Sequence, residues 1–347
     1  MYLILNSKLK SFLKNAANKA LFGTLLNKNK AAKPNIEHMI HGTHNALEDP
    51  RNKDVLIYIN GELKPREEAK ISVFDSGYLV GDGIWEAVRL HKNVLVFLDL
   101  HLDRLWAAAA TVAIDLKMTK NELSEKIWQV LEANKMQDQV HVRFMITRGI
   151  KKTPSQDPRL TISGPNLVII AEHKKASEES KSKGISLFTS AIRRGSPDYL
   201  DPRLNCHSKL HEVIALTQAI EAGADEALML DVNGFVATCN ATNFFIIRNG
   251  EVWTSTSKYC MNGITRQNII RVCKANDIPV FEKDFSLFDT YSADEAFVTG
   301  TFGGVTPVKS IDGRNIGNNS FGKRTKQISE LYKALIEEEV QNQKPHE

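Results

Sequence analysis

A charged, serine-rich stretch interrupts the chain near its middle and limits how the chain can fold. The segment KKASEESKSKG, at 174–184, contains one alanine and no larger apolar residue. Such a composition is typical of a connecting loop, because it offers no side chains to a core. The chain has 347 residues, which exceeds one typical core. The sequence therefore predicts two mixed α/β domains, 51–173 and 185–338, joined by a linker at 174–184.

The two ends differ in composition from these domains. Residues 1–36 carry seven lysines and no acidic residue, and their apolar residues recur near helical spacing. Two interpretations remain open for this segment. It is either a presequence that directs the protein to mitochondria, or a flexible basic extension of a cytoplasmic protein. We therefore treat 1–50 as an extension outside the fold, and 339–347 as a polar tail.

Overall composition excludes several classes of partner. The net charge is +4, and the lysines of the first segment supply much of it, so a nucleic-acid ligand has little electrostatic support. No apolar run approaches the roughly 20 residues that span a bilayer. The four cysteines follow no disulfide framework, which favours free thiols in a reducing compartment. We expect small-molecule partners, with no nucleic acid and no membrane.

Hydrophobic periodicity predicts the elements of both domains. Strands are expected at 55–63 (a hairpin turning at Asn-Gly), 71–91 (two strands around a loop), 139–149, 166–173, 185–194 and 295–308, with a β-meander over 226–255. Helices are expected at 97–114, 119–134, 208–223, 263–277 and 322–340. A capping box at Thr119 and Glu122 marks the start of the second helix.

Polar residues crowd the stretch DPRLNCHSKLHEV, at 201–213, where an extended segment enters a helix. A metal site would use Cys206, His207 and His211. Zinc needs three or four convergent ligands, and adjacent residues do not easily face one ion. Packing and hydrogen bonding are the better interpretation, so no metal is predicted.

Glycine- and threonine-rich turns indicate an anion site. The segment NGITRQNII opens a helix near Gly263, where free backbone N–H groups and the helix dipole favour a phosphate. The segment TGTFGG at 299–304 and the segment DSGYLVGDG at 75–83 are similar turns. One such turn is an ordinary cap, whereas three together suggest a phosphorylated ligand. Arg104, on an apolar helix, either pairs with a carboxylate or covers apolar surface with its stem.

Six segments together resemble one enzyme family. They are FDSGYLVGDGIWEAVRLH, FLDLHLDRL, VRFMITRG, GADEALMLDVNGFVATCNATNFFIIRNGEVWT, NGITRQNIIRVCK and ADEAFVTGTFGGVTPV. Over about 55–335 the chain is similar to the class IV, fold type IV pyridoxal-phosphate enzymes, which include branched-chain and D-amino-acid aminotransferases. The resemblance implies an α/β (α+β) fold with a small α/β domain and a larger domain with a barrel-like β core. It also implies pyridoxal 5'-phosphate, amino acid and 2-oxo acid substrates, and a homodimer whose active site the neighbouring subunit partly closes.

The resemblance also implies roles for particular residues. Arg104 matches the phosphate-binding arginine, and the remaining phosphate contacts are Ile264, Thr265, Gly300 and Thr301. Tyr78 and Trp85 match positions that line the substrate pocket. Arg143 and Arg148 match positions near the substrate carboxylate. Their separation is odd, so they point to opposite faces of a strand, and Arg148 is taken as the one that faces the site.

Two hallmark positions of the family are substituted in this chain. Asn205 occupies the position of the lysine that bonds covalently to the cofactor, and Thr238 occupies that of the glutamate that keeps the pyridine nitrogen protonated. If 205–209 were helical, Lys209 would lie about 400° and about 6 Å further on, on the same face. We therefore predict Lys209 as the covalent and proton-transferring lysine, Asn205 as a hydrogen-bonding neighbour and Thr238 as the contact to the ring nitrogen.

The function predicted on this basis is transfer of an amino group between an amino acid or amine and a 2-oxo acid. Two alternatives stay open because of the substitutions. One is a pyridoxal-phosphate-dependent lyase on the same scaffold, and the other is a non-catalytic binding protein.

Overall fold

Two β-sheets organise the chain. The computed structural model describes residues 42–43, 49–317 and 322–343. The segment 1–36, with its predicted targeting role, lies outside the described residues. The division into two domains stays a prediction, and the two sheets are described below in turn.

The first sheet has six antiparallel strands in the order β2-β1-β6-β5-β3-β4. They are β1 (Leu56–Ile59), β2 (Glu62–Pro65), β3 (Gly83–His91), β4 (Val94–Leu95), β5 (Val140–Thr147) and β6 (Asn166–His173). The predicted hairpin is confirmed: Asn60 and Gly61 both have positive φ, at 49° and 103°, as the tight two-residue turn requires. Along β5 buried and partly exposed residues alternate, so one face of the sheet joins the core and the other remains accessible.

Two helices cover the core face of this sheet. They are α2 (Leu98–Thr111) and α3 (Lys120–Ala133), and both match the predicted helices. In α3 the buried residues Leu123, Ile127, Val130 and Leu131 recur at helical spacing and belong to the same apolar cluster as β5. The predicted capping box is present at its first turn.

The segment 71–91 corrects one prediction. No strand forms over 71–74; the five-residue helix α1 (Ser76–Val80) follows instead, and β3 begins at Gly83. The cause is Asp75, which is fully buried and accepts a hydrogen bond from Gly77 N at 2.8 Å as a helix N-cap. The same carboxylate accepts from the Thr147 hydroxyl at 2.7 Å, so the cap is fixed to the sheet.

The second sheet has nine strands in the order β12-β11-β10-β13-β14-β7-β8-β9, with β15 paired to β14. They are β7 (Ile185–Thr189), β8 (Glu226–Leu230), β9 (Val236–Cys239), β10 (Asn243–Arg248), β11 (Glu251–Thr254), β12 (Val280–Glu282), β13 (Glu295–Gly300), β14 (Gly304–Ile311) and β15 (Arg314–Asn315). The sheet curls into half a barrel, as expected for the family fold. The meander predicted over 226–255 is wrong, because β10 pairs with β13 rather than with β9.

The remaining helices accompany the second sheet. They are α4 (Glu178–Lys183), α5 (Leu210–Glu221), α6 (Ile264–Ala275), α7 (Leu287–Tyr291) and α8 (Lys323–Asn342). Helix α4 lies inside the segment predicted as a linker, where Ser177 caps it and Ser180 is buried. Helix α8 continues to Asn342, four residues into the segment predicted as a polar tail.

The cysteines and the helices bear on two further predictions from the sequence. All four cysteines are free and buried, which confirms the prediction of free thiols. Within the described ranges, no helix combines the length and apolar character needed to cross a membrane.

Candidate active site

The stretch that contains Asn205 and Lys209 is extended and lies along the start of β3. Trp85 N donates to Asn205 O at 2.9 Å, and His207 N donates to Gly83 O at 2.9 Å. Helix α5 begins only at Leu210, with Lys209 as its N-cap residue. The helical geometry considered for 205–209 is therefore wrong, and the two side chains are not one turn apart on a helix.

Asn205 and Lys209 nevertheless line the same cavity, which has a volume of about 340 Å³. Asn205 is 4% exposed, and its Oδ1 has no hydrogen-bond partner among the described residues. Leaving a buried polar atom without a hydrogen-bond partner costs free energy. The bare Oδ1 therefore suggests that a ligand bonds to it when the cavity is filled. Lys209 lies 3.5 Å from Glu212, measured from Nζ to Oε1.

A buried cluster of charges fixes the end of Lys209. Arg194 Nη1 donates to Glu212 Oε1 at 2.7 Å and to His211 Nε2 at 3.0 Å. Burial alone would raise the pKa of Glu212, but the hydrogen bond from His211 and the charges of Lys209 and Arg194 outweigh it. The pKa falls from 4.5 to about 2. Glu212 is therefore a stable anion beside the candidate lysine.

The start of helix α6 forms an anion cup on the same cavity. Gly263 is the N-cap residue and supplies no side-chain cap, which leaves the first N–H groups of the helix free for a ligand. A Cβ on Gly263 would meet Asn243 Oδ1 at 2.2 Å, so a larger residue there requires the Asn243 side chain or the helix start to move. Ile264 and Thr265 follow it, and both line the cavity while being 3% exposed.

Arg104 on α2 reaches this cup from the first sheet. Its Nε and Nη2 donate to the two oxygens of Glu86 at 2.5 and 2.8 Å, and its Nη1 donates to Asn262 O at 3.3 Å. His101 Nδ1 lies 2.8 Å from the same carboxylate. Burial alone would raise the pKa of Glu86. The charges and hydrogen bonds of Arg104 and His101 outweigh burial, so the pKa is lowered overall. The arginine is thus a fixed positive charge at the anion cup.

The turn between β13 and β14 forms the other side of the cup. Gly300 pairs with Gly304 across the turn, and Thr299, Gly300 and Thr301 line the cavity. Thr299 Oγ1 is buried and, in the described part of the chain, has no hydrogen-bond partner. This hydroxyl, like Asn205 Oδ1, is available to a bound molecule.

Thr238 lies at the wall formed by β9. It is 5% exposed, and its hydroxyl donates to Thr242 O at 2.8 Å. Because the hydroxyl hydrogen is already used, the oxygen is left to accept a hydrogen bond from a ligand. The wall is neutral at this point.

The first sheet contributes a third wall, and two of the residues predicted at the site lie away from it. Arg143 lines the cavity beside Trp85, whereas Arg148 pairs with Asp82 at 2.7 Å and does not line it. Thr147 and Arg148 lie at the end of β5, where the chain leaves the sheet and the alternation stops. Tyr78 is 72% exposed and also does not line the cavity in a single chain.

Several residues that line the cavity were not identified from the sequence, among them Glu212, His141, Lys174 and Phe302. His141 is two residues before Arg143 on β5, so the alternation that exposes one also exposes the other. The same reasoning along β6 would have found Lys174, one residue beyond the strand end.

The metal alternative receives no support from the geometry. No group of three or more His, Cys, Asp or Glu side chains in the described ranges is arranged to hold an ion. His207 packs against the glycines at 77 and 83, while His211 belongs to the Arg194 cluster. The two histidines therefore lie in different surroundings and do not share one site.

A cavity with an anion cup, the amine of Lys209 and a wall that carries Arg143 agrees with the comparison with known sequences. The sequence model of the family described as amino-transferase class IV matches residues 83–311, more than half of the chain. The chain belongs to the class IV aminotransferase family.

Relatives support this assignment along most of the chain. The chain is 37% identical over 292 residues to branched-chain-amino-acid aminotransferase-like protein 2 of Arabidopsis thaliana, a match that covers 84% of the chain and 52% of that protein. It therefore spans about half the length of this relative. It is also 37% identical over 280 residues to the putative branched-chain-amino-acid aminotransferase of Methanocaldococcus jannaschii, covering 80% of the chain and 96% of that protein.

A solved structure agrees with the fold. A branched-chain amino acid aminotransferase from T.th., solved with pyridoxamine 5'-phosphate, superimposes with a TM-score of 0.77 at 29% identity. The match covers 82% of this chain and 94% of that one. The two-sheet architecture is thus that of the family.

Proposed function

We propose that the protein is a pyridoxal 5'-phosphate-dependent aminotransferase that moves an amino group between an amino acid or amine and a 2-oxo acid. One observation carries this proposal: a single cavity combines an anion cup at the start of α6 with the amine of Lys209. A phosphorylated aldehyde needs both features. Family membership supports the same reaction.

The residues present fit such a cofactor. The free N–H groups of Ile264 and Thr265, the Thr301 side of the turn and the charge of Arg104 would hold its phosphate. The unpartnered oxygens of Asn205 and Thr299 remain available to its polar groups. When bound, pyridoxal 5'-phosphate supplies an aldehyde that bonds covalently to amines and a ring that accepts electrons.

The proposed roles of the protein side chains follow from their positions. Lys209 would be the amine that holds the cofactor and would move the proton at the substrate α-carbon, while Glu212 lies 3.5 Å from its Nζ. Arg143 binds the substrate carboxylate, as its guanidinium lies on the cavity wall. Thr238 would contact the ring nitrogen, and its neutral hydroxyl would give a weaker electron sink than a carboxylate.

Amino-group transfer tests this proposal. We expect the full chain, loaded with pyridoxal 5'-phosphate, to move isotopically labelled nitrogen from an amino acid to a 2-oxo acid. Lys209→Arg is the matched control, because arginine keeps the charge beside Glu212 but does not form the covalent bond. Transfer by this variant at the wild-type rate would contradict the role of Lys209. Ammonia release without an acceptor would favour the lyase instead.

A non-catalytic, cofactor-binding protein is the second candidate. The ion pair between Lys209 and Glu212 favours it, since that pair opposes the release of the amine for covalent bonding. Asn205 offers no amine of its own. Retention of the cofactor through the anion cup alone, without nitrogen transfer, would support this function.

We also propose that two chains form a homodimer. The segment around α1 exposes Ile71, Val73, Phe74, Tyr78 and Val80, with exposed fractions of 40% or more. A contiguous run of exposed apolar residues is typical of an interaction surface, and the family resemblance predicts a neighbouring subunit near the site. Tyr78→Asp should then yield a monomer in light scattering, whereas Phe288→Asp, at an equally exposed aromatic, should not. A monomeric wild type would contradict the dimer.

For localisation we propose the cytoplasm, with mitochondria as the alternative if 1–36 act as a presequence. The free, buried cysteines support a reducing compartment. A fluorescent fusion to residues 1–50 that enters mitochondria would overturn the cytoplasmic assignment.

A further inference from the structure

A buried carboxylate in the second sheet depends on a residue from the N-terminal part of the chain. Glu226, at the start of β8, is 3% exposed and forms no ion pair within 4.0 Å in the described ranges. A buried carboxylate without a cation needs hydrogen-bond donors instead. Thr43 supplies two of them to Oε1, from its N–H at 3.1 Å and from its hydroxyl. The Thr242 hydroxyl donates to Oε2 at 2.8 Å.

Hydrogen bonds connect Glu226 to the cavity wall. The backbone oxygen of Thr242 accepts from the Thr238 hydroxyl at 2.8 Å and from Cys239 N at 2.9 Å. The whole segment 238–242 lines the cavity, and Thr238 is the residue predicted to contact the ring nitrogen. Thr43, Glu226, Thr242 and Thr238 are all buried. Water therefore does not replace a bond that is lost along this path.

Thr43 also packs against the turn that forms one side of the anion cup. It belongs to the segment 1–50, predicted as an extension outside the fold, yet it is 5% exposed. A Cβ on Gly303 would meet Thr43 Cβ at 3.5 Å, and the two preceding residues, Thr301 and Phe302, line the cavity. Residue 43 is therefore placed between strand β8 and the cup.

We propose that Thr43 is a positioning residue for the cavity. It supplies donors to Glu226, which holds Thr242, and Thr242 O in turn keeps the Thr238 hydroxyl directed away from the ligand. The Thr238 oxygen then presents a lone pair to the cavity. Thr43 precedes the range 83–311 that the family model matches, so this control of the wall comes from outside that range. The effect on pyridoxal 5'-phosphate rests on the proposed function, whereas the hydrogen-bond path does not.

Hydrogen–deuterium exchange at the Cys239 amide tests the path, because that N–H donates to Thr242 O. Thr43→Val keeps the shape and the N–H of residue 43 but removes its hydroxyl. We expect the Cys239 amide of the full chain, without added cofactor, to exchange about tenfold faster or more in this variant. Thr43→Ser, which retains the hydroxyl, should exchange at the wild-type rate.

Thr189→Val is the matched control. The N–H and the hydroxyl of Thr189 also donate to a single carboxylate, that of Asp312, at 2.6 and 2.5 Å. Neither residue lines the cavity, so exchange at Cys239 should not change. In a fluorescence titration, affinity for pyridoxal 5'-phosphate should fall about threefold or more in Thr43→Val and stay at the wild-type value in Thr189→Val.

Four results would overturn the inference. They are unchanged exchange at Cys239 in Thr43→Val, equal acceleration in Thr189→Val, failure of Thr43→Ser to restore the wild-type rate, and faster exchange with unchanged cofactor affinity. A wild type that binds no pyridoxal 5'-phosphate would overturn the proposed function instead. Exchange at Cys239 alone would then decide whether Thr43 positions the wall.

Discussion

At the scale of single residues, the site depends on groups that hold other groups in place. Glu212 holds Lys209 near the cavity, Glu86 holds Arg104 at the anion cup, and Gly263 leaves the helix start open. None of these three is expected to form or break a bond in the reaction. Each has a measurable effect that a simple loss of folding would not reproduce.

The first prediction concerns the anion cup. Gly263→Ala places a Cβ 2.2 Å from Asn243 Oδ1, so either the Asn243 side chain, which also lines the cavity, or the start of α6 must shift. We expect affinity for pyridoxal 5'-phosphate to fall about tenfold or more in a fluorescence titration. Gly164→Ala is the control, because its Cβ meets nothing within 4 Å. Equal affinities in both variants would contradict the assignment of the cup.

The second prediction uses the pKa of Glu212, which is lowered to about 2 from 4.5. A carboxylate with a depressed pKa contributes stability that is present above 4.5 and lost as the pH falls toward 2. Glu212→Gln lacks this contribution at every pH. Its free energy of unfolding should be lower at pH 7 and should fall less than that of wild type between pH 4.5 and 2.

Urea unfolding at a series of pH values measures this difference. The exposed Glu68→Gln serves as the control, and its pH profile should match that of wild type. A Glu212→Gln profile parallel to wild type across the acid range would show that the Arg194 cluster does not hold the carboxylate as described.

Matching motifs to the family predicted which residues line the cavity better than it predicted how they are arranged. Lys209, Thr238 and Arg104 were identified by their place in motifs, and all three line the cavity. The choice of Arg148 over Arg143 rested on strand alternation, but β5 ends at Thr147 and the alternation stops before Arg148, while Arg143 lines the cavity. The face of β5 is decided by packing against α2 and α3, which no local pattern encodes.

At the scale of elements, backbone pairing explains the position of the candidate lysine. The stretch 205–208 adds to the start of β3 through the Ile84–Cys206 bridge, and the Trp85 indole donates to Cys206 O at 3.1 Å. The sequence indicated an extended segment that enters a helix, and a helix over 205–209 was considered only as the condition that would bring Lys209 beside residue 205. A long-range partner, separated by more than a hundred residues, determines the extended form instead.

The third prediction tests whether a change in the stability of helix α3 leaves ligand binding in the cavity unaffected. Thr119→Ala removes the capping box of α3 and should cost about 1 kcal/mol in the free energy of unfolding. Helix α3 packs on the core face of the first sheet and does not line the cavity, so ligand affinity should not change. Thr111→Ala, at an exposed helix end, should cost about 0.5 kcal/mol or less. A loss of ligand affinity in Thr119→Ala would contradict this separation.

At the scale of the whole molecule, the cavity assembles residues from distant parts of the sequence. Arg104 and Arg143 come from the elements of the first sheet, and Thr238, Ile264 and Thr301 from those of the second. Strong local signals predicted the five longer helices of the described chain, the Asn-Gly hairpin and the strand pair at 295–308, but not the short helices α1, α4 and α7. The strand order did not follow from them, since the pairing of β10 with β13 and the curl of the sheet depend on closure of the core.

The central claim is that Lys209 replaces the covalent lysine whose position Asn205 occupies. Borohydride reduction of the full chain loaded with pyridoxal 5'-phosphate, followed by peptide mapping, tests it most directly. The account predicts that the reduced cofactor is bonded to Lys209, and that Lys209→Arg carries none. Labelling of another lysine of the cavity, such as Lys174, or no labelling at all, would contradict it.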